Sequence, residues 1–183
     1  MKKMIWLVMT VVALYSCNNE SEKTTDVIKD STTIEPTASS VNYPYTIEHP
    51  NYWEMGSNEN TKIALSALKA YENGNIDECV KYFGDSVHLQ FDGMDATLPG
   101  DSLKAMFTKS RSDIKNMEIK MSDWESVISK DKKVEYVSLW YKQIWEDNKG
   151  KKDSVALIDD IELKNGKIIG LDEKSRKYPG KKM

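Results

Sequence analysis

Past Ile114 the apolar residues stop recurring at helical spacing and begin to alternate, and this change of period limits the folds open to the chain. Before it, Ile63, Ala64, Ala67, Leu68 and Tyr71 share one helical face, capped by Asn60 or Thr61 and ended at Asn73-Gly74. Ile76, Cys79, Val80 and Phe83 repeat that spacing in a shorter helix, with Asp77 and Glu78 in the first turn, where the helix dipole favours negative charge. "VHLQFDG" alternates and then turns, as a strand does; a third helix, capped by Asp101 or Ser102, carries Leu103, Met106, Phe107 and Ile114. After it come four strand-like runs, "MEIKMSDWESVIS", "KVEYVSLWYKQIW", "DSVALIDDIELK" and "GKIIGLDEKS", joined by charged or glycine-containing turns short enough for antiparallel neighbours. Helices first and a meander afterwards predict an α+β domain with about three helices packed on one face of a curved antiparallel sheet.

The stretch "ALKAYENGNIDECVKYFGDSVHLQFDG", followed by "LPGDSLKAMF" and closing with "KNGKIIGL", resembles the nuclear transport factor 2-like superfamily, in particular its SnoaL-like branch. The likeness runs from about Thr61 to about Ser175. It implies a cone-shaped, cystatin-like roll whose bent sheet and helices enclose an apolar pocket. Relatives of this fold include isomerases, dehydratases, cyclases and proteins that only bind small molecules or one another, so the fold alone assigns no activity. Ketosteroid isomerase members use a carboxylate base on the first strand and a tyrosine on the first helix. Those positions fall here on Phe91 and Ala67, and neither side chain can do that chemistry.

The resemblance places Asp159 of "LIDDIEL" where a late-strand acid stands in those isomerases. Independently, Asp159 shares strand parity with Val155, Leu157, Ile161 and Leu163, so its carboxyl points to the apolar face, while Asp160 points to solvent. A carboxyl so placed has a raised pKa, or is held by a hydrogen bond from a partner such as a tyrosine or tryptophan. It is either a structural acid or a ligand-orienting one. The pocket expected from these alternations is lined by Leu89, Phe91, Leu157, Asp159 and Ile161, with Asp159 as its polar contact. The reading is a non-catalytic domain that binds a small apolar or amphipathic molecule or a protein partner. The alternative is a lyase or isomerase with Asp159 as acid or base.

Other chemistries find little support. Ser86 and Ser102 have no evident base, no glycine-rich phosphate loop is present, and the two histidines, His49 and His88, form no cluster with cysteine, so neither a cofactor nor a metal is expected. Tyr136, Trp140 and Ile144 share one face of a strand, and Val137, Leu139 and Tyr141 the other. One face lines the cone. The outer one is left to pack on the aromatic opening segment "YPYTIEHPNYW" or on a second copy of the chain, as a homodimer. Arg111 stands near the end of the third helix, where it guards a pocket mouth or serves as an ordinary C-terminal base.

The amino-terminal end speaks to location. Lys2 and Lys3 precede an apolar run, Met4 to Val12, too short for a membrane span of roughly 20 residues. Leu14-Tyr15-Ser16-Cys17 then resembles the bacterial lipobox, which implies a signal peptide over 1–16 and a lipid on Cys17. Residues 17–41 hold the lipidated cysteine and a serine-, threonine- and charge-rich tether, expected to be disordered and to span about 25 to 30 Å. The domain proper is 42–183, with a frayed basic tail. Cleavage would remove two lysines and move the formal charge from −3 to −5, which together with the lack of a basic stripe argues against nucleic acid as a partner. The acidic "NNESEK" resembles a surface-export signal of Gram-negative lipoproteins, which points to the cell envelope, the outer membrane and its outer face. Metabolic labelling with a radioactive fatty acid should mark the chain and fail to mark Cys17→Ser; a variant that labels as strongly as the parent would end the lipobox reading.

Overall fold

A computed structural model describes residues 43–47 and 52–177. The expected signal peptide, Cys17, the tether, His49 and the tail beyond Lys177 lie outside the described residues, while Lys174 to Lys177, expected to fray with that tail, end the last strand. The chain divides into two units at Pro44 and Tyr45, and all the elements below belong to the second.

In chain order these are β1 (Trp53–Met55), α1 (Asn58–Glu72), α2 (Ile76–Cys79), β2 (Phe83–Phe91), β3 (Met94–Pro99), α3 (Gly100–Ser112), β4 (Ile114–Ser129), β5 (Glu135–Asp147), β6 (Lys152–Lys164) and β7 (Lys167–Lys177). One seven-stranded sheet takes the order β1-β4-β5-β6-β7-β2-β3. Its core is the expected meander from β4 to β7, and every neighbouring pair is antiparallel except β2 with β7, which is parallel. That exception follows from the connection: β2 precedes the long excursion through β3 and α3, so the returning β7 meets it running the same way. Register shifts between Met121 and Asp123, between Glu162 and Leu163, and between Phe83 and His88 add the local bends of β-bulges.

Several boundaries differ from expectation. Ser57, not Asn60 or Thr61, caps α1, its side chain accepting from the Asn60 amide at 3.1 Å, which frees buried Asn60 to donate to Glu135. Pro99 opens α3, so Asp101 and Ser102 lie within its first turn. Ile114 is the first residue of β4 and not part of the helix, and Phe83 begins β2 after a 3-10 turn over Val80–Tyr82. The strands β1 and β3 were not foreseen: the first has only three residues, and in the second Ala96 weakens the alternation of Met94 and Leu98.

Parity builds the core. Val137, Leu139, Leu157, Ile161 and Leu163 all point inward and meet Ala64 and Ala67 of α1, whose small side chains let the helix lie close to the sheet. A second cluster joins Val87 and Leu89 of β2 to Leu103 and Phe107 of α3, with Ala70 and Cys79 between. Arg111 does not guard a mouth: half-buried, it donates to the carbonyls of Tyr71, Glu72 and Ile114, tying the carboxyl end of α1 to the end of α3. On the outer face Trp53 packs edge-on against Tyr136, while Tyr43, Tyr45 and Ile47 of the opening segment are exposed. Gly56 donates to the Ser126 carbonyl at 2.7 Å and comes so near that strand that a Cβ would lie 2.8 Å from its backbone.

Because Leu139 is fully buried, Leu139→Ala should lower the unfolding free energy by about 2 to 5 kcal/mol. Ile158→Ala on the outer face should cost less than about 1 kcal/mol. Chemical denaturation of the two variants measures both, and equal losses would show that the inner face is not the core.

Candidate functional site

Core packing stops short of one end of the inner face. There the helices and the sheet leave a cavity of about 710 Å³, within the range usual for small-molecule sites, roughly 300 to 1,000 Å³. Tyr141 of β5, Leu157, Asp159 and Ile161 of β6 form its sheet wall, and Ala64, Ala67, Leu68 and Tyr71 of α1 face them. Phe83 and Phe91 of β2 and Phe107 of α3 close one side. Gln143, Trp145, Asp153, Ser154, Ser175 and Lys177 are grouped by strand register at one end of the sheet and make the polar rim.

Of the residues expected to line a pocket, Phe91, Leu157, Asp159 and Ile161 border this cavity. Leu89 does not: it is fully buried among the residues packed against α3, one inward-facing step before Phe91 on the same strand. Ala67 and Phe91, which hold the positions of the isomerase tyrosine and base, both face the cavity, so its wall at these points is hydrocarbon.

Asp159 is the polar centre. Only 4% of it is exposed, and the Tyr141 hydroxyl donates to its Oδ2 at 2.8 Å; its Oδ1 is buried with no hydrogen-bond partner among the described residues. The register puts Glu173 of β7 directly opposite Asp159, and Glu173 also borders the cavity. Burial raises the Asp159 pKa to about 8, and the nearby Glu173 charge adds to the effect, while the Tyr141 hydrogen bond pulls the other way. Burial likewise pushes Tyr141 well above the ordinary phenol range, and pushes Glu173 upward with help from Asp92. At neutral pH Asp159 is therefore chiefly a neutral acid. With Oδ2 already accepting from Tyr141, its proton belongs on Oδ1, facing no protein partner.

Tyr141 and Glu173 went unassigned in the sequence. Glu173 carried a usable signal, since it alternates with Leu171, but a charged residue beside Asp172 and Lys174 reads as solvated. Tyr141 is placed by the sequence only on the strand face it shares with Val137 and Leu139, with nothing to link it to Asp159. The remaining candidates are elsewhere. Asp160 is on the outer face: its partial burial is outweighed by Lys174 at 2.7 Å and by the Ser138 hydroxyl, which together hold its pKa below the ordinary range. His88, also outward, meets Asp95 at 2.7 Å across the β2–β3 hairpin. Cys79 borders the cavity as a free, buried thiol whose pKa burial pushes to about 12, too high for a nucleophile near neutrality. Among the described residues no group of three His, Cys, Asp or Glu side chains is placed to hold a metal ion.

No family model matches the chain, and no curated protein matches its sequence. Solved structures do match its fold. AusH from Aspergillus nidulans is similar with a TM-score of 0.55 at 15% identity, over 67% of this chain and 87% of that one. An M. tuberculosis LEH-like epoxide hydrolase gives 0.54 at 13%, over 66% and 84%. An uncharacterized cystatin fold protein from Novosphingobium aromaticivorans gives 0.51 at 12%, over 66% and 99%. At such identities the likeness is one of fold: the domain is an α+β roll with a curved sheet, of the cystatin kind.

The electrostatics make a signed prediction. A carboxyl whose folded pKa of about 8 exceeds its unfolded value of about 3.9 stabilises the fold fully below pH 4. That contribution is lost as pH rises toward 8, by at most about 1.4 kcal/mol per unit. Asp159→Asn removes the dependence, so in denaturation experiments the variant should gain on the parent from pH 4 to pH 8 and then hold level. A gap that stays constant with pH would show that Asp159 titrates normally.

Proposed function

We propose that the domain binds one small, largely apolar molecule in this cavity and orients it through Asp159, without chemistry, while a lipid on Cys17 holds the chain to the cell envelope. The observation that carries the reading is the buried Oδ1 of Asp159, unpartnered among the described residues, on the wall of a largely apolar cavity. A buried polar atom left without a partner costs about 1 to 3 kcal/mol, and a ligand that supplies the partner recovers it. A purely structural acid would need no such vacancy beside so much open volume. Hydrocarbon at Ala67 and Phe91 supports binding over turnover, because the positions that carry base and donor in the isomerases offer neither.

A second reading has one observation in its favour. A pKa of about 8 lets Asp159 give and take a proton near neutrality, as a general acid or base of a lyase or isomerase must. Tyr141 would then be the group that steadies it.

Native mass spectrometry of the full chain purified from its own host separates these readings. A bound small molecule should accompany the parent protein and be weakened, with the fold intact, in Asp159→Asn. If instead the parent converts the recovered molecule and Asp159→Asn does not, the protein is an enzyme. A chain that carries nothing and takes up no apolar probe would refute the open cavity.

A further inference from the structure

Resting on the binding reading above, we propose that the molecule bound in the cavity is an apolar amine, held as its ammonium ion between Asp159, Glu173 and the surrounding aromatic rings. The charges on the cavity wall are lopsided. Among the described residues Asp153, Asp159 and Glu173 contribute carboxyls and Lys177 the one basic group, and both Asp153 and Lys177 stand at the exposed rim. Inward of that rim, buried Asp159 and half-buried Glu173 face each other across the β6–β7 ladder, on one face of the sheet, with side chains starting about 4.5 to 5.5 Å apart. Among the described residues no basic side chain pairs with either. Lys174, the nearest in sequence, is turned to the outer face, where it is shared at 2.7 Å by Asp160 and Asp172.

A buried carboxyl such as Asp159 is ordinarily paired, and here half-buried Glu173 brings a second acid beside it in place of a cation. An ammonium group has three N–H donors and no acceptor, so it can serve the vacant Oδ1 of Asp159 and the Glu173 carboxyl together. A neutral ligand oxygen could engage Asp159 but would leave Glu173 unmet, and a carboxylate ligand would be repelled by both acids. The rest of the wall suits the same guest. Tyr71, Phe83, Phe91, Phe107, Tyr141 and Trp145 all border the cavity, offering aromatic surface to a cation and apolar area to its hydrocarbon part.

Binding of this kind is linked to a proton. The groups that face Asp159 are Tyr141 from β5, Glu173 from β7 and, farther off, Tyr71 from α1, with Asp160 and Lys174 behind it on the outer face. In the empty cavity Asp159 keeps its proton up to about pH 8, and an arriving ammonium ion displaces it. Below that pH the affinity should rise by up to about tenfold per pH unit.

Three probes of equal length, octylamine, octanol and octanoate, test the inference against the full chain by calorimetry. Octylammonium should bind at least about tenfold more tightly than octanol at pH 7, octanoate should not bind, and up to one proton should be released, read from buffers of different ionisation enthalpy. Asp159→Asn and, separately, Glu173→Gln should each lower the octylammonium affinity about tenfold while leaving octanol nearly unchanged. The second variant keeps the test valid if the first does not fold. Octanol binding as well as octylammonium, or no proton release, would overturn the amine and spare the cavity. Failure of all three probes would overturn both.

Discussion

With Leu139 opposite Asp159 and Tyr141 opposite Leu157, the β5–β6 ladder decides what the interior of this protein contains. Side chains alternate between the two faces of a strand, so a slip of one residue would carry Asp160 inward and Asp159 out to water, and would turn Leu157 and Ile161 to the surface with it. The apolar partners make that slip costly. Val137, Leu139, Leu157, Ile161 and Leu163 are all at most 5% exposed, and none could be moved outward without losing contact with α1. The hydrophobic register of two strands thus holds an acid in a place that its own chemistry would avoid.

The helices then determine how much space that acid faces. Ala64 and Ala67 bring α1 close against the centre of the sheet, and Leu103 and Phe107 seat α3 on β2. Arg111 ties the carboxyl ends of both helices by donating to the Tyr71 and Glu72 carbonyls. Contact is therefore tight along one part of the inner face and absent along the rest, where long strands run on beyond the helices. The cavity is the consequence, and its wall is apolar because the strand residues there continue the alternation of the core.

Asp159, Tyr141 and Glu173 behave as a unit within that wall. Each is displaced in the same sense, toward its protonated form, and for each burial is the largest cause. Such a cluster suits a guest that brings either a hydrogen-bond acceptor or a positive charge. The facing pair of carboxyls is what favours the charge, since a single acid would be content with an acceptor.

Much of this was legible beforehand because it depends on local periodicity. The order of helices and strands, the meander from β4 to β7, and the inward direction of Asp159 all follow from spacings of two or about three and a half residues. The location suggested by Cys17 is equally local, and it lies outside the described residues. Tertiary structure alone decided the rest. It added β1 and β3, short edge strands held by pairing more than by composition, and it ran β2 parallel to β7. It buried Leu89 fully within the cluster that α3 completes and left Phe91, of the same parity, partly buried at that cluster's edge on the cavity. It also chose Tyr141 and Glu173 as the companions of Asp159, from strands before and after it. Periodicity states which face a side chain takes; only the packing of distant segments states what it meets there.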